Sequence, residues 1–257
     1  MSERIIYKGC PLCNSKNIEF HRQGNCSKHP LYNAVLNPKI IWNKCNDCTH
    51  VFTEGYYTDE ICNLIFSKTN QQQKVGDSAV KNRFISAKIV ERVVPFVNEG
   101  TWLDIGFGNG SLLFTAQEYG FEPIGVDLRQ NNVDIMNALG IKSYCEDISN
   151  LKLEEKCSVI SMADVLEHVS YPRDMLKSID ALLDPNGALL ISMPNSEPIV
   201  WEMMNRQKIN PYWNEIEHYH NFSRTRLYEL LREFGFQKFD YGISQRYQMC
   251  MEVVARK

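Results

Sequence analysis

The stretch “TWLDIGFGNGSLL”, residues 101–113, reads as a β-strand, a glycine-rich turn and the start of a helix. Its alternate glycines are Gly106, Gly108 and Gly110. A dinucleotide-binding loop would need its third glycine at position 111, which is Ser111. Asp104 lies at the strand end, where a carboxylate would repel a pyrophosphate. The pattern therefore favours a ligand that brings a cation or N–H donors close to the glycine turn.

A second acid extends this interpretation to a nucleoside. Asp127 ends the next predicted strand, “PIGVDL”, 17 residues beyond Gly110. A carboxylate at that point suits the two hydroxyls of a ribose. S-adenosylmethionine joins a ribose to a sulfonium and to an amino-acid arm with an ammonium. It meets both requirements, so these residues predict S-adenosylmethionine rather than a phosphate-rich coenzyme.

Strand-like and helix-like segments alternate from about residue 79 to the last residue. This alternation predicts an α/β fold, a doubly wound parallel sheet with right-handed crossovers. The last two strands, “FQKFDYGIS” and “YQMCMEVVARK”, have a short connection, which predicts an antiparallel last strand. A polar stretch at 67–78 reads as a linker. We therefore predict two domains, a small zinc-ribbon-like module over residues 1–70 and a Rossmann-like domain over residues 71–257.

Five motifs carry a resemblance to a known family: “LDIGFGNG”, “GVDL”, “CEDISNL”, “ADVLEHVSYPRDML” and “LLDPNGALLISMPN”. In this order and spacing the chain resembles the class I S-adenosylmethionine-dependent methyltransferases, specifically the large group related to the ubiquinone-biosynthesis methyltransferases. The resemblance covers roughly residues 80–257. It implies a Rossmann-like methyltransferase sheet with S-adenosylmethionine as the cofactor.

The resemblance also implies which residues bind the cofactor. They are Asp104, Gly106, Phe107 and Gly108 around the methionine arm, Asp127 for the ribose hydroxyls with Leu128 beside it, Asp147 and Ile148 flanking adenine, and Asp164 at the reactive end. Phe107 departs from the family pattern, since many relatives carry Cys or Ala at this point. The departure leaves the predicted backbone contacts of the loop unchanged.

Two C-x2-C pairs, in “GCPLC” and “KCNDC”, mark the first 70 residues. They supply Cys10, Cys13, Cys45 and Cys48. Each pair turns tightly enough to present two thiolates to one ion, and two pairs complete a tetrahedral sulfur site. Four thiolates leave no open coordination position. The spacing therefore predicts a structural zinc ion rather than a catalytic one.

The charges of this module argue against nucleic acid as a partner. Residues 1–70 contain eight Lys and Arg and six Asp and Glu, a balance of +2. A Zn²⁺ ion with four thiolates adds −2, which leaves about zero. Binding dominated by phosphate contacts needs clustered positive charge. We expect a small-molecule partner, and the sequence does not determine the oligomeric state.

Composition bounds the setting of the protein. The 257 residues are 44% hydrophobic, with a net charge of −3, and no apolar run approaches the roughly 20 residues of a membrane-spanning helix. The first residues lack the apolar segment of a secretory signal. Nine cysteines without an export signal are typical of reduced thiols in the cytosol. We expect a cytoplasmic protein with no membrane contact.

Candidate catalytic residues follow the fourth and fifth predicted strands. “ADVLEHV” places His168 after the fourth strand. The segment “EPIVWEMMNRQKINPYWNEIEHYHNFS” follows the fifth strand and contains His218 and His220 among aromatic residues. Imidazoles between aromatic walls suit a lid over a small polar acceptor, and a base is needed when the accepting atom arrives protonated. We predict that His218 or His220 is the base, with His168 as a further candidate.

The predicted function is methyl transfer to an O or N atom of a small polar metabolite, a carbohydrate or nucleotide-linked building block. “SMADVL” does not match the Asn/Asp-Pro-Pro-aromatic signature of enzymes that methylate exocyclic amines of bases. The module also resembles two other arrangements, which leave two alternatives open. One is a ribosomal or transfer RNA methyltransferase with a zinc-module RNA reader, and the other is a deoxysugar C-methyltransferase. A third alternative is a cofactor-binding protein without activity.

Overall fold

The structure is a computed structural model that describes residues 3–66 and 73–257. Its tertiary contacts form two compact units. The sheet unit consists of Asn70–Leu166, Asp174–Met193 and Leu231–Lys257, and the cysteine unit of Met1–Thr69, Glu167–Arg173 and Pro194–Leu230. The predicted domain boundary at residue 70 and the first part of the predicted linker lie outside the described residues. Two later segments of the chain thus group with the N-terminal one.

In the described residues the strands are β1 (Arg4–Ile6), β2 (Ile18–Asn25), β3 (Lys39–Cys45), β4 (Val51–Thr53), β5 (Gly55–Tyr57), β6 (Thr101–Ile105), β7 (Glu122–Val126), β8 (Lys142–Tyr144), β9 (Cys157–Ala163), β10 (Leu183–Pro194), β11 (His220–Asn221), β12 (Lys238–Ile243) and β13 (Cys250–Arg256). The α-helices are α1 (Asp59–Phe66), α2 (Ala79–Val93), α3 (Ser111–Glu118), α4 (Gln130–Ala138), α5 (Pro172–Leu182), α6 (Ile199–Arg206) and α7 (Arg224–Arg232). Short 3-10 helices span Leu166–His168 and Pro211–Trp213.

The sheet unit contains a seven-stranded sheet in the order β12-β13-β10-β9-β6-β7-β8. The pairs β6–β7, β7–β8, β6–β9 and β9–β10 are parallel, whereas β12 and β13 are antiparallel. The predicted doubly wound, Rossmann-like sheet with an antiparallel last strand is confirmed. The chain crosses over in one direction from β6 to β8 and in the other from β9 to β10. Strand order therefore reverses between β6 and β9, the point at which such sheets bind ligands.

The central strands are buried because helices cover both faces of a parallel sheet. In β9 five of seven residues are buried, as expected for the apolar run “CSVISMA”. Trp102 on β6 is fully buried, and its Nε1–H donates to Ser161 Oγ on β9 at 2.8 Å. This hydrogen bond satisfies both polar groups inside the core and holds together the two strands that flank the reversal point.

The cysteine unit contains a four-stranded sheet in the order β11-β4-β3-β2, in which each neighbouring pair is antiparallel. Strand β11 belongs to the segment after β10, so that segment completes the sheet that the N-terminal residues begin. At Gly24, β2 approaches the backbone of Trp213 so closely that a Cβ at this position would lie 1.7 Å from the Trp213 carbonyl oxygen. Trp42 Nε1–H donates to the same carbonyl at 3.0 Å. These contacts explain why distant segments form one unit.

Candidate functional site

The glycine loop begins where β6 ends. Gly106, Gly108 and Gly110 all have positive φ angles, 71°, 57° and 76°, which residues with a side chain rarely adopt. The Gly106 N–H donates to Val126 O on the neighbouring strand at 2.7 Å. A Cβ on Gly106 would lie 2.8 Å from Val165 Cγ2. These positions suit glycine and no residue with a side chain. The bare backbone of the loop therefore allows a ligand to approach closely.

Asp104 is a buried carboxyl at this loop, with 3% of its surface exposed. Its Oδ1 accepts a hydrogen bond from Ser161 Oγ at 2.6 Å. Burial raises the pKa of Asp104 to about 7, against the opposing effects of the Ser161 hydrogen bond and the positive charge of Arg246. A carboxyl that is only partly ionised at neutral pH gains most from a bound cation, because the cation offsets the cost of burying its charge.

Asp127 follows β7 and is also buried, with 4% exposed. Its Oδ2 accepts from the Gly108 N–H at 3.1 Å, which ties it to the glycine loop. Arg129 forms a fork on the same carboxylate, with Nε 2.7 Å from Oδ1 and Nη2 2.5 Å from Oδ2. The Arg129 Nη1 donates in turn to Gln73 Oε1 at 2.6 Å. The Arg129 guanidinium therefore binds the Asp127 carboxylate, which the sequence predicts to bind ribose hydroxyls.

Asp164 follows β9 in the left-handed region, with φ of 57°, a strained conformation for a residue other than glycine. Its N–H donates to Ser192 O at 2.8 Å, and its Oδ2 lies 3.6 Å from Arg246 Nη1. Asp104, Asp127 and Asp164 end three neighbouring strands, and we call them the strand-end acids. Backbone strain like that at Asp164 concentrates at functional positions, and it fixes the direction of the side chain.

The other predicted cofactor residues differ in exposure. Phe107 is buried and packs against β7, where a Cβ on Gly125 would lie 2.6 Å from its ring, so its side chain belongs to the core. Leu128 is 76% exposed, and Ile148 is buried. Asp147 Oδ1 accepts from the Ser149 N–H at 2.8 Å in a local turn. Only the backbone of Phe107 is available to a ligand in the loop.

The four predicted metal ligands come together in the cysteine unit. All four Sγ atoms of Cys10, Cys13, Cys45 and Cys48 lie within 4.8 Å of one another, and we call them the sulfur cluster. Cys10 and Cys48 are 3.5 Å apart, and Cys13 and Cys45 are 3.6 Å apart. Sulfur ligands of one tetrahedral zinc ion lie about 3.8 Å apart, from Zn–S bonds of about 2.3 Å. The cluster has the dimensions of such a site.

Each C-x2-C pair is followed directly by a residue with positive φ, Asn14 (61°) after Cys13 and Thr49 (60°) after Cys48. The Cys10 N–H donates to Ser15 O, and the Cys45 N–H donates to His50 O, both at 2.9 Å. These turns close each pair so that its two sulfurs face one point. The residues present could therefore hold a zinc ion without rearrangement of the backbone.

The three candidate histidines have different surroundings. His220 is buried, and both of its ring nitrogens are engaged, Nε2 with Val169 O at 2.8 Å and Nδ1 with His50 Nε2 at 2.9 Å. Burial lowers the pKa of His220 to about 3, although hydrogen bonds to backbone carbonyls oppose the shift. His220 thus has no ring nitrogen left for a substrate. Its geometry is that of a buried structural pair with His50.

His168 and His218 instead belong to a separate group with Glu167, which we call the histidine cluster. The ligand atoms of these three residues lie within 4.8 Å of one another. The two imidazole rings are 4.7 Å apart and nearly perpendicular. Burial, and then the nearby His168 charge, lower the pKa of His218 well below its usual value, so its ring is neutral at pH 7.

The sequence patterns did not point to Arg129 or Arg246. Arg129 is two residues beyond Asp127, and that spacing could have suggested an ion pair. Arg246 lies between β12 and β13, far from the strand-end acids in sequence, and no local pattern marks it. Glu167 is 1% exposed and adjoins His168. No helix among the described residues is long and apolar enough to cross a membrane.

Comparison with known proteins supports the fold. The Methyltransferase domain family matches residues 80–240, which include the glycine loop, the strand-end acids and the histidine cluster. The structure is similar to that of a 1,6-didemethyltoxoflavin-N1-methyltransferase from Burkholderia thailandensis, determined with S-adenosylhomocysteine bound. The TM-score is 0.58 at 18% identity, over 82% of this chain and 97% of that one. This likeness shows the Rossmann-like methyltransferase fold.

Two curated relatives show partial similarity. The ubiquinone biosynthesis O-methyltransferase of Coxiella burnetii is 33% identical over 100 residues, which are 36% of this chain and 43% of that protein. The tRNA U34 carboxymethyltransferase of Campylobacter jejuni is 28% identical over 185 residues, 63% of this chain and 62% of that protein. The chain spans less than two thirds of either relative. Because the family match covers more than half of its length, the chain belongs to the Methyltransferase domain family.

Proposed function

We propose that the chain is an S-adenosylmethionine-dependent methyltransferase that acts on an O or N atom of a small polar metabolite, a carbohydrate or nucleotide-linked building block. The observation that carries the proposal is the buried Asp104 carboxyl beside the open glycine loop. Its raised pKa suits a cationic ligand and opposes a phosphate-rich one. The family match and the fold support the same chemistry.

The charges at the cofactor end support this assignment. S-adenosylmethionine carries a sulfonium, an ammonium and a carboxylate, with a net charge of +1. The groups proposed to receive them are the carboxylates of Asp104 and Asp164 and the guanidinium of Arg246, which lies 3.6 Å from Asp164. Their sum is −1. We propose that Asp104 and Asp164 receive the cationic groups and that Arg246 receives the carboxylate.

The remaining cofactor contacts follow the strand ends. We propose that Gly106, Gly108 and the Phe107 backbone pass along the methionine arm, that Asp127 with Leu128 receives the ribose, and that Asp147 and Ile148 flank adenine. Asp127 can receive the ribose only after Arg129 leaves its carboxylate, because the fork occupies both oxygens. Buried Ile148 supplies an apolar surface of the kind that an adenine ring needs.

When bound, the cofactor supplies an electrophilic methyl group on a sulfonium. The protein holds the accepting atom in line with the methyl carbon and excludes water. The acceptor forms the new bond to carbon, the carbon–sulfur bond breaks, and an acceptor hydroxyl or ammonium loses its proton. We propose that this proton loss depends on His168 and His218, and that His220 is structural because its ring nitrogens are engaged.

Variants of these histidines test the assignment. His218→Asn is expected to reduce turnover by roughly 10²-fold if the proton transfer depends on it. His220→Asn is the matched control and should lower stability more than turnover measured below the melting temperature. Full activity of both His168→Asn and His218→Asn would contradict the assignment.

We also propose that the sulfur cluster holds one structural zinc ion. The support is the approach of four sulfurs to within 4.8 Å from two tight turns. Four protein ligands close the coordination sphere, so this zinc would stabilise the fold and take no part in chemistry. Because the ligands must be thiolates, we propose the cytoplasm, where thiols stay reduced, as the compartment.

A second candidate function is methylation of transfer RNA. The observation that favours it is the similarity to a tRNA U34 carboxymethyltransferase over 63% of this chain. The near-zero charge of residues 1–70 with zinc speaks against it, because RNA binding needs clustered positive charge. The other named relative acts in ubiquinone biosynthesis, so neither relative is named for a carbohydrate acceptor.

One experiment tests both candidates. The protein is incubated with methyl-labelled S-adenosylmethionine and, separately, with fractionated small metabolites and with total tRNA, and the labelled product is identified by mass spectrometry. Label in a small metabolite supports the first candidate, and label in tRNA supports the second. Calorimetry with S-adenosylhomocysteine and with NAD accompanies it. Binding of NAD in place of S-adenosylhomocysteine would overturn both candidates.

A further inference from the structure

The histidine cluster has features that a methyltransferase reaction alone does not explain. Glu167 is a carboxylate with only 1% of its surface exposed, and His218 is 8% exposed. The cluster also brings one oxygen and two imidazole nitrogens within 4.8 Å of one another. This combination of two His and one carboxylate is a donor set typical of divalent transition metals.

The orientation of His168 suits a metal ligand. Its Nδ1 lies 2.9 Å from the backbone carbonyl of Glu217, and a carbonyl can only accept, so Nδ1 carries the proton. The lone pair is therefore on Nε2, which lies 4.0 Å from Glu167 Oε1. Metal-bound histidines usually donate their second N–H to a carbonyl or carboxylate, which fixes the ring. His168 already has this support.

His218 provides the second observation. Its Nδ1 is buried and makes no hydrogen bond to any described residue. A buried nitrogen without a partner is unusual in a folded protein, and it indicates a missing ligand, such as an ion or a water molecule. His218 and His168 present their rings to each other at 85° rather than stacked, so two nitrogens can approach one point.

The distances need only a small adjustment. Neighbouring ligands on one ion with bonds of about 2.1 Å are about 3.0 to 3.4 Å apart. The His168 Nε2 to Glu167 Oε1 distance of 4.0 Å exceeds this by less than 1 Å.

We propose that Glu167, His168 and His218 form a second metal site, distinct from the sulfur cluster, that binds one divalent first-row transition ion such as Fe²⁺, Mn²⁺, Co²⁺ or Zn²⁺. Three protein ligands leave coordination positions open to water, unlike the four-sulfur site. A metal-bound water has its pKa lowered to about 7 and so yields a hydroxide at neutral pH. Such a hydroxide is a base of the kind that proton removal requires, and its use in methyl transfer rests on the proposed function.

Cobalt titration of the full-length protein tests the site. The sulfur cluster is first filled with one equivalent of Zn²⁺, because thiolates bind this ion tightly. Co²⁺ is then added, and its visible absorption is recorded. We expect one further equivalent with the weak bands of nitrogen and oxygen ligands and without thiolate charge-transfer bands. A wild-type protein that takes up no second equivalent would overturn the proposal, whatever the variants do.

Two ligand variants and one control assign the site to its residues. His218→Asn and Glu167→Gln should each weaken Co²⁺ binding at this site by at least about 100-fold. His21→Asn removes an imidazole of the same unit that lies outside the cluster, and it should bind Co²⁺ as the wild type does. Retention of the second equivalent by both ligand variants would overturn the assignment. Near-ultraviolet circular dichroism of each variant checks that the fold is intact.

Calorimetry with S-adenosylhomocysteine on the same samples separates the two proposals. Uptake of the second Co²⁺ equivalent without S-adenosylhomocysteine binding would overturn the proposed function and leave the metal site standing. Binding of S-adenosylhomocysteine without uptake of a second Co²⁺ equivalent would overturn the metal site and leave the proposed function standing.

Discussion

The strand-end acids of the sheet unit and the histidine cluster of the cysteine unit are assembled in different ways. Asp104, Asp127 and Asp164 each end a strand of one sheet, so parallel pairing alone brings them to the same edge. Glu167 and His168 meet His218 only because two segments of the chain, Glu167–Arg173 and Pro194–Leu230, pack into one unit. The first arrangement depends on local sequence and a regular fold, and the second depends on tertiary packing.

Among the changes that test this comparison, loss of one sulfur ligand is expected to have the largest effect. Structural zinc contributes on the order of 10 kcal/mol to the folding of small zinc domains. Cys45→Ser is therefore expected to abolish zinc binding and to unfold the sheet of β2, β3 and β4. Zinc content and amide hydrogen exchange measure the two losses.

Cys145→Ser is the control for this change, because the Cys145 Sγ contacts Leu128 O at 3.5 Å and lies outside the sulfur cluster. It should keep its zinc and its exchange protection. Full protection of β2 to β4 in zinc-free Cys45→Ser would mean that packing alone holds the cysteine unit together.

Asp104 gives the next effect. Asp104→Asn keeps the shape and the Ser161 contact but removes the negative charge. A charge-assisted hydrogen bond contributes about 1.5–3 kcal/mol, so S-adenosylmethionine should bind roughly 10- to 100-fold more weakly. Isothermal calorimetry measures the change. Asp147→Asn, in the turn after β8, is the matched control and should cost less. An equal loss in both variants would refute the special role of Asp104.

The pKa of Asp104 makes the same contact sensitive to pH. Because this pKa is about 7, the Asp104 carboxylate of the ligand-free protein becomes protonated as the pH falls through neutrality. Since a cationic ligand needs the ionised form, affinity should fall about tenfold between pH 8 and pH 6. Calorimetry across this range checks the slope, and Asp104→Asn should show none of it.

The stability of the ligand-free protein should change in the opposite direction. The folded protein holds the Asp104 proton more tightly than the unfolded chain does, because burial raises the pKa of Asp104 above its ordinary value of 3.8. This contribution to stability is complete below that value and is lost as pH rises through about 7. Denaturant unfolding of wild type and Asp104→Asn should therefore diverge with rising pH, and parallel curves would contradict the shift.

The sequence predicts the sheet, the strand-end acids and the four cysteines because each depends on residues close together in the chain. It gives His168, His218 and His220 as candidates and prefers the last two, but it does not separate His218 from His220. The difference between His218 and His220 depends on His50, 170 residues before His220, which takes one ring nitrogen. Likewise, Arg246 reaches Asp164 across 82 residues of sequence, and no spacing rule covers such a pair.

Substitution of Arg129 has the smallest expected effect. It tests how one of the strand-end acids, Asp127, is engaged before a ligand binds. The fork from Arg129 occupies both oxygens of Asp127 and is itself held by Gln73. A ribose must displace it, and a partly exposed ion pair of this kind contributes about 1 kcal/mol. Arg129→Gln should therefore tighten S-adenosylhomocysteine binding by about fivefold. Arg83→Gln removes an exposed pair with Glu118 as the control and should leave affinity unchanged. Weaker binding in Arg129→Gln would show that the guanidinium stays in place and contacts the nucleoside, in which case Asp127 would receive the ribose with Arg129 and not instead of it.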